Sequence, residues 1–411
     1  MFKSVLNLLR IADKSFNIIY YFFEIVKVIM RILAIICEFN PFHNGHKYLI
    51  DSARQIANCD SVLCIMSGNF TQRGEACIFD KYTRAKHAVL GGADCVIQLP
   101  TPFAVAPAEV FAQGAIKILS AMPGVSTIAF GCESGTKEDY INTAKLALNE
   151  NEKFKESLKR NLNIGESYVK SYAKAFYECG GNTELIESPN NILGLEYTKA
   201  ILKAGVNIDI LPVKRIGSGY LDSKLTDNFS SASAIRANMS DPEIKSNVPD
   251  YVFNDLKSAN NNIEYESFVR NCLFSVSADN LNRVTGCGEG LENRLKSLEN
   301  KQYNEIIENA TSKRYSSSRI KRILCANALK LYESDVFKYL ESELYLKPLA
   351  IKKQKAKEIL SALSKSTYPV ITGIGHGLSS TAAECFERDK YEFEVYCHIN
   401  KLNIKDYMNL I

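Results

Sequence analysis

The chain has 411 residues, 46% hydrophobic and 23% charged, with a formal net charge of +4. That length carries two or three domains and a sizeable core, and the composition is that of a soluble globular protein, not a fibrous or disordered one. The mildly basic balance is compatible with a nucleic-acid partner without requiring one.

The 12 cysteines form no C-x-x-C pair. Cys37, Cys64, Cys95 and Cys325 lie inside apolar runs. This pattern predicts buried thiols in a reducing cytoplasm, with neither a disulfide framework nor a metal set. Residues 1–29 are rich in Phe, Ile, Tyr and Val, but Glu24 and Lys27 interrupt the run before it reaches the length of a membrane span. No small-residue cleavage site follows. This extension reads as a mis-assigned start or a dispensable segment, the alternative being a membrane-surface helix, so no stable membrane association is expected.

From residue 30 onward, strands and helices alternate. Ile32 to Ile36 is a buried-strand run, broken by Asn40-Pro41. Helical spacing starts after His43, with Tyr48, Leu49, Ala53 and Ile56 at three- and four-residue steps. Ser61 to Met66 predicts a second strand. Asp80 to Leu90 predicts a helix stopped by Gly91-Gly92. Cys95 to Leu99 predicts a third strand, Ala108 to Ala121 a helix, and Ser126 to Phe130 a fourth strand. The segment from Lys137 to Tyr177 is helical, with Leu146, Leu148, Phe154 and Leu158 as core. A further helix ends at Ala204, and Asp209 to Arg215 predicts a fifth strand. Apolar strands alternating with helices predict an α/β fold with a doubly wound parallel sheet, whose ligands bind beyond the carboxyl ends of the strands.

The chemistry-bearing residues cluster at those ends. His43-Asn44-Gly45-His46 opens the first helix, where free N–H groups and partial positive charge attract phosphate. Gly45 admits a close approach to the backbone. His43 and His46 share a face in a helical first turn and can donate to phosphate oxygens as charge builds. After strand two, Ser67 to Glu75 offers Gln72 and Arg73 for a carboxylate or an RNA. After strand four, Gly131 permits close approach of an adenine or ribose. Ser230 to Arg236 reads as a serine-capped helix with an arginine one turn in, a phosphate-binding corner.

H-x-G-H after a first strand resembles the signature of the nucleotidyltransferase superfamily. The longer string EFNPFHNGH resembles the bacterial tRNA(Met) cytidine acetate ligase family, as do PNNILGLEY and PVKRIGSGY further on. The resemblance implies a Rossmann-like nucleotidyltransferase domain over 30–240 and a mainly α-helical, tRNA-binding domain over 241–411. It implies ATP contacts along Ile36, Cys37, Glu38, Phe39, Asn40, Pro41, Phe42, His43, Asn44, Gly45, His46, Lys47, Tyr48 and Leu49, and at Gly131, Asn190, Arg215 and Arg236. Where the family often carries His after Gly-x-Gly-Tyr, this chain has Leu221, which takes no role.

The activity implied is ATP-dependent activation of acetate and transfer of the acetyl group to the wobble cytidine of elongator tRNA(Met). Mg²⁺ travels with ATP, and no resident metal site is read. The basic stretch Lys313, Arg314, Arg319 and Arg322 then becomes a candidate phosphate contact, with Tyr315 as a stacking platform and Lys352, Lys353, Lys355 and Lys357 as a second basic run. The segment Val370 to Gly377 lacks the βαβ context of a dinucleotide loop. From the residues alone, an adenylyltransferase acting on a small cofactor precursor, or a non-catalytic RNA-binding protein, remains open. No general base for acetyl transfer stands out, and oligomeric state is not encoded in any motif.

Overall fold

The computed structural model describes residues 30–165, 168–216, 225, 228–260, 263–373 and 377–411. The extension over 1–29, the glycine-rich loop 217–220, Leu221 and residues 374–376 of the late Gly-rich segment lie outside the described residues.

Seven strands form one sheet in the order β5-β4-β1-β2-β3-β6-β7. They are β1 (Ile32–Cys37), β2 (Ser61–Ser67), β3 (Cys95–Leu99), β4 (Val125–Cys132), β5 (Asp209–Lys214), β6 (Pro348–Ile351) and β7 (Asn409–Leu410). The first five pair in parallel, with Ile35 opposite Cys64 and Ala129 opposite Leu211. Both faces of the sheet are covered, which is why β2 is buried at every residue and reads as a continuous apolar run.

The covering helices include α1 (Asn44–Ala57), α2 (Lys81–Leu90), α3 (Ala108–Ser120) and α4 (Pro189–Ala204). One core lies on the face that buries Ile65, Phe111 and Ile128. The other buries Leu33, Phe42 and Ile50. Helices over 137–178 form a small satellite around Phe154 and Phe176. Leu148, expected in the core, is exposed at the end of its helix.

The helical half is joined to the sheet itself. β6 pairs antiparallel with β3, and β7 pairs parallel with β6. Periodicity alone cannot tell a four-residue apolar run such as β6 from a turn of buried helix, so the mainly helical expectation for 241–411 does not single out these two strands.

Three further helices reach the strand ends: the short α5 (Ala232–Ala237), α6 (Ser317–Ala328) and α7 (Ser380–Ile399). A third core, with Leu281, Ile320 and Tyr396, takes in Phe70 and Ala76 from the loop that follows β2. From the α7 side, the Asn69 backbone N–H donates to Glu392, and Asn69 Nδ2 donates to Glu392 Oε2 at 3.2 Å. Gly74, at φ +72, lies so near α6 that an added Cβ would sit 2.5 Å from the Lys321 carbonyl. Only glycine accepts both that conformation and that contact. Among the described residues, no helix is long and apolar enough to cross a membrane.

Candidate active site

The chain leaves β1 toward β2 on one side and returns through β4 on the other. The strand order therefore reverses between β1 and β4, and a crevice opens there at the carboxyl ends. It holds a cleft of about 190 Å³. Glu38 and Gly131 follow β1 and close β4 at its floor, the first turn of α1 forms one wall, and Asn190 and Arg215 form another. Gln72, Arg73 and Glu75 approach from the loop after β2, and Arg236 comes from α5.

Most of the expected motif residues face this cleft, and four do not line it. Phe42 is fully buried in the core. Lys47 turns outward to Asp51 at 2.8 Å. Asn44 Nδ2 donates to Ser246 O at 2.8 Å. Pro41 is buried and joined to Asn40 by a cis peptide.

The two histidines are fixed by the helix they open. His43 is the N-cap of α1, and its Nδ1 accepts the Gly45 N–H at 3.1 Å. His46 Nδ1 accepts the His43 N–H at 3.3 Å, closing a reciprocal capping box. The rings stack with centroids 3.7 Å apart. Burial, with Arg215 nearby, pushes His43 down to about 3, and burial with His43 and Arg215 holds His46 well below its usual value. Both rings are therefore neutral near pH 7. With Nδ1 accepting, each proton sits on Nε2, so both rings present N–H donors.

The opposite wall is also preset. Asn190 Nδ2 donates to Glu133 Oε1 at 2.6 Å, and Ser188 Oγ donates to Glu133 Oε2 at 2.8 Å. The carboxylate fixes which way the Asn190 amide points, leaving Oδ1 as an acceptor suited to an exocyclic amine or a hydroxyl. Arg236 is held as well: its Nη1 donates to Asn40 O at 2.7 Å, and it pairs with Glu75 at 3.3 Å. Glu75 is shared with Lys321 of α6 at 2.7 Å, and although burial opposes its charge, these cations hold its carboxyl below the usual range. Ser231 Oγ caps α5 by accepting the Ala234 N–H at 3.1 Å, as its sequence predicts.

Arg84 escaped the sequence reading. Its side chain is fully buried beneath the cleft and donates to the carbonyls of Phe79 at 3.1 Å and Glu38 at 2.5 Å, of Ser67 at 3.3 Å, and of Gly68. It ties the ends of β1 and β2 together and leaves a positive charge under the site. The signal was present: Arg84 lies on the same α2 stripe as Ala85 and Ala88, and an arginine on an apolar stripe calls for a partner.

A sequence model described as HIGH Nucleotidyl Transferase matches residues 30–409. The tRNA(Met) cytidine acetate ligase of Clostridium novyi is 36% identical over 390 residues, covering 90% of this chain and 96% of that protein. The chain belongs to the tRNA(Met) cytidine acetate ligase family. The enzyme of that name from Anoxybacillus flavithermus is 34% identical over 362 residues, 84% of this chain and 90% of its own. A crystal structure of Thermotoga maritima TmcAL in an apo form superposes with a TM-score of 0.81 at 30% identity, over 90% of this chain and 95% of that one. The same protein bound with alpha-thio ATP gives 0.79 at 28% identity over the same shares.

Within this family member, the basic stretch of the helical half divides into two groups. Lys313 and Arg314 are exposed. Arg314 and Arg319 pair with Glu289 at 3.3 and 3.6 Å. Arg322 instead turns inward, and its Nη1 donates to Gln72 O at 3.3 Å. Burial, with Arg319 and Arg73 as neighbours, pushes it down to about 10. Tyr315 does not offer a face for a base. It is buried, its hydroxyl donates to Glu289 O at 2.9 Å, and the Arg314 and Arg319 guanidinium groups lie 5.5 and 5.2 Å from its ring centroid. Arginines at this spacing cover an aromatic ring by cation–π contact, an arrangement that a charge count does not reveal.

Proposed function

We propose that this chain activates acetate with ATP and transfers the acetyl group to the N4 amine of the wobble cytidine of elongator tRNA(Met). The observation that carries the reading is the stacked His43–His46 pair that caps α1 and lines the same switch-point crevice as Arg215 and Arg236. Family membership supports the choice of acetate and of tRNA.

An acetate oxygen attacks the α-phosphorus of ATP, and pyrophosphate leaves. Charge accumulates on the transferring phosphoryl oxygens, where His43 and His46 donate at the positive end of the α1 dipole. Arg215 and Arg236 hold the outer phosphates, for which Arg236 exchanges its Glu75 contact. Gly131 and the Asn190 acceptor receive the nucleoside. Mg²⁺ enters as part of the nucleotide substrate. Gln72 and Arg73, carried on the loop clamped between Glu38 and α6, bind the acetate or the tRNA end. The helical half, 241–411, presents the RNA-binding surface.

Purified protein is expected to release pyrophosphate from ATP only with acetate, and to move label from acetate into cytidine of elongator tRNA(Met). Pyrophosphate release without label in RNA would assign a different acceptor. Replacing the exposed Lys313 and Arg314 together by Ala should weaken tRNA binding at low salt and reduce the salt slope by up to about 2, one for each phosphate that the two cations neutralise. Filter binding across a salt series reads this. An unchanged slope would move the RNA contact elsewhere on the helical half.

A further inference from the structure

Aminolysis of an acyl adenylate releases a proton from the attacking nitrogen, and some group in the cleft must take it. The candidates can be compared from their surroundings. The histidines are poorly suited: each Nδ1 accepts a backbone N–H, each Nε2 carries a proton, and burial opposes a second one. The Cys37 thiol is held in its protonated form by burial and by Cys64. Two carboxylates line the cleft, Glu38 and Glu75. Glu75 is bound to Arg236 and Lys321, which make it a weak base.

Glu38 differs. Its Oε1 accepts the Gln72 N–H at 2.6 Å and the Ser67 hydroxyl at 3.4 Å, and Oε2 takes neither bond. Its carboxylate makes no ion pair among those found in the described residues. The charged groups around it come from three elements: Arg84 on α2, which touches only its backbone carbonyl, Arg73 on the β2 loop, and Arg236 on α5. They favour the carboxylate form, as does the Gln72 N–H, but burial outweighs them and raises its proton affinity. Cys37 and Cys77, thiols that burial holds in the protonated form, also lie near it.

We propose that the Glu38 carboxylate, anchored through Oε1 and lining the cleft beside the β2 loop, is the general base of the acetyl-transfer step. The inference rests on the acyl-transfer reading above. The cytidine N4 nitrogen bonds to the acetyl carbon, and the carbonyl electron pair moves onto oxygen. The N4 proton passes to Glu38. The tetrahedral centre then collapses, the bond from carbon to the phosphate oxygen breaks, and AMP leaves with that electron pair. Glu38 returns its proton to solvent once AMP has gone.

The test supplies synthetic acetyl-adenylate and an elongator tRNA(Met) transcript under single-turnover conditions. Adenylate formation from ATP and acetate is measured alongside. In Glu38→Gln the side-chain oxygen still accepts the Gln72 N–H, so the loop anchor is retained while the base is lost. Transfer is expected to fall about 100-fold or more beyond any fall in adenylation. In the wild type the transfer rate should rise with pH and level off as Glu38 ionises, and this limb should vanish in the variant. Glu38→Asp, a shorter base, should restore part of the rate and the limb.

Equal losses in both half-reactions, or transfer in Glu38→Gln within about threefold of wild type, overturn the proposal, since a base typically supplies at least 10²-fold. If the Gln variant does not fold, the wild-type profile decides: a transfer rate that stays flat as pH is lowered from neutrality through the ordinary carboxylate range overturns it equally. A wild-type enzyme that leaves acetyl-adenylate untouched in the presence of tRNA overturns the acetyl-transfer reading itself, whatever the variant does.

Discussion

His46→Ala is expected to lower acetate-dependent pyrophosphate release by about 10²–10³-fold, the loss typical when one preorganised donor to a developing oxyanion is removed. The ring also accepts the His43 N–H, so the variant loses half of the α1 capping box and about 1 kcal/mol of stability. These two readouts are separable. The stability change leaves the protein folded at room temperature, and a urea titration measures it. Steady-state turnover with saturating ATP measures the other, and normal turnover would remove His46 from the chemistry.

The same burial makes stability depend on pH. His43 titrates near 3 in the fold against about 6.5 in the unfolded chain, so the unfolded chain binds more protons as pH falls. The stability contributed by its neutral form is complete above about pH 6.5 and is lost progressively as pH falls toward the folded value. Urea midpoints measured downward from neutrality should decline through that window, and less steeply in His43→Ala.

Arg84→Leu is expected to destabilise the protein by about 3–5 kcal/mol, since several buried carbonyls lose a charged donor at about 1–3 kcal/mol for each one left unsatisfied. The carbonyls of Phe79, Glu38, Ser67 and Gly68 would lose this donor together, Gly68 O keeping only the weak Cys77 thiol contact. Lysine would not substitute, because a single ammonium cannot span the four acceptors that the planar guanidinium reaches. Thermal denaturation compared with wild type gives the number. A loss below about 1 kcal/mol, the net value of one ordinary hydrogen bond, would mean that water replaces the guanidinium.

What the sequence made legible follows the range of each interaction. The β1–α1 unit was readable because its signals are local: an apolar run, a proline break, a capping histidine and helical spacing, all close together along the chain. The five parallel strands and the serine cap of α5 were readable for the same reason. Glu75 was not, because its meaning depends on Lys321, far along the chain. Glu392 was not, because a carboxylate on α7 reads as solvent-facing until Asn69 meets it. Tyr315 misled because aromatic residues within basic runs look alike whether their rings are bare or covered by their own arginines. Arg322 was grouped with Lys313 and Arg314 by adjacency, while the helical turn sends it inward to Gln72.

The pairing of β3 with β6 has a consequence for taking the molecule apart. Cys95, Val96 and Ile97 lie opposite Ile351, Ala350 and Pro348, and Gln98 N donates to Lys347 O at 2.9 Å. A fragment cut near residue 240 would therefore carry β3 as a bare, apolar edge with unpaired N–H and C=O groups. Such an edge recruits strands from other copies, and the excised piece would aggregate. The nucleotide cleft and the helical half are bound into one inheritance unit: neither can be trimmed, grafted or shuffled between relatives without carrying the other strand of that pair along.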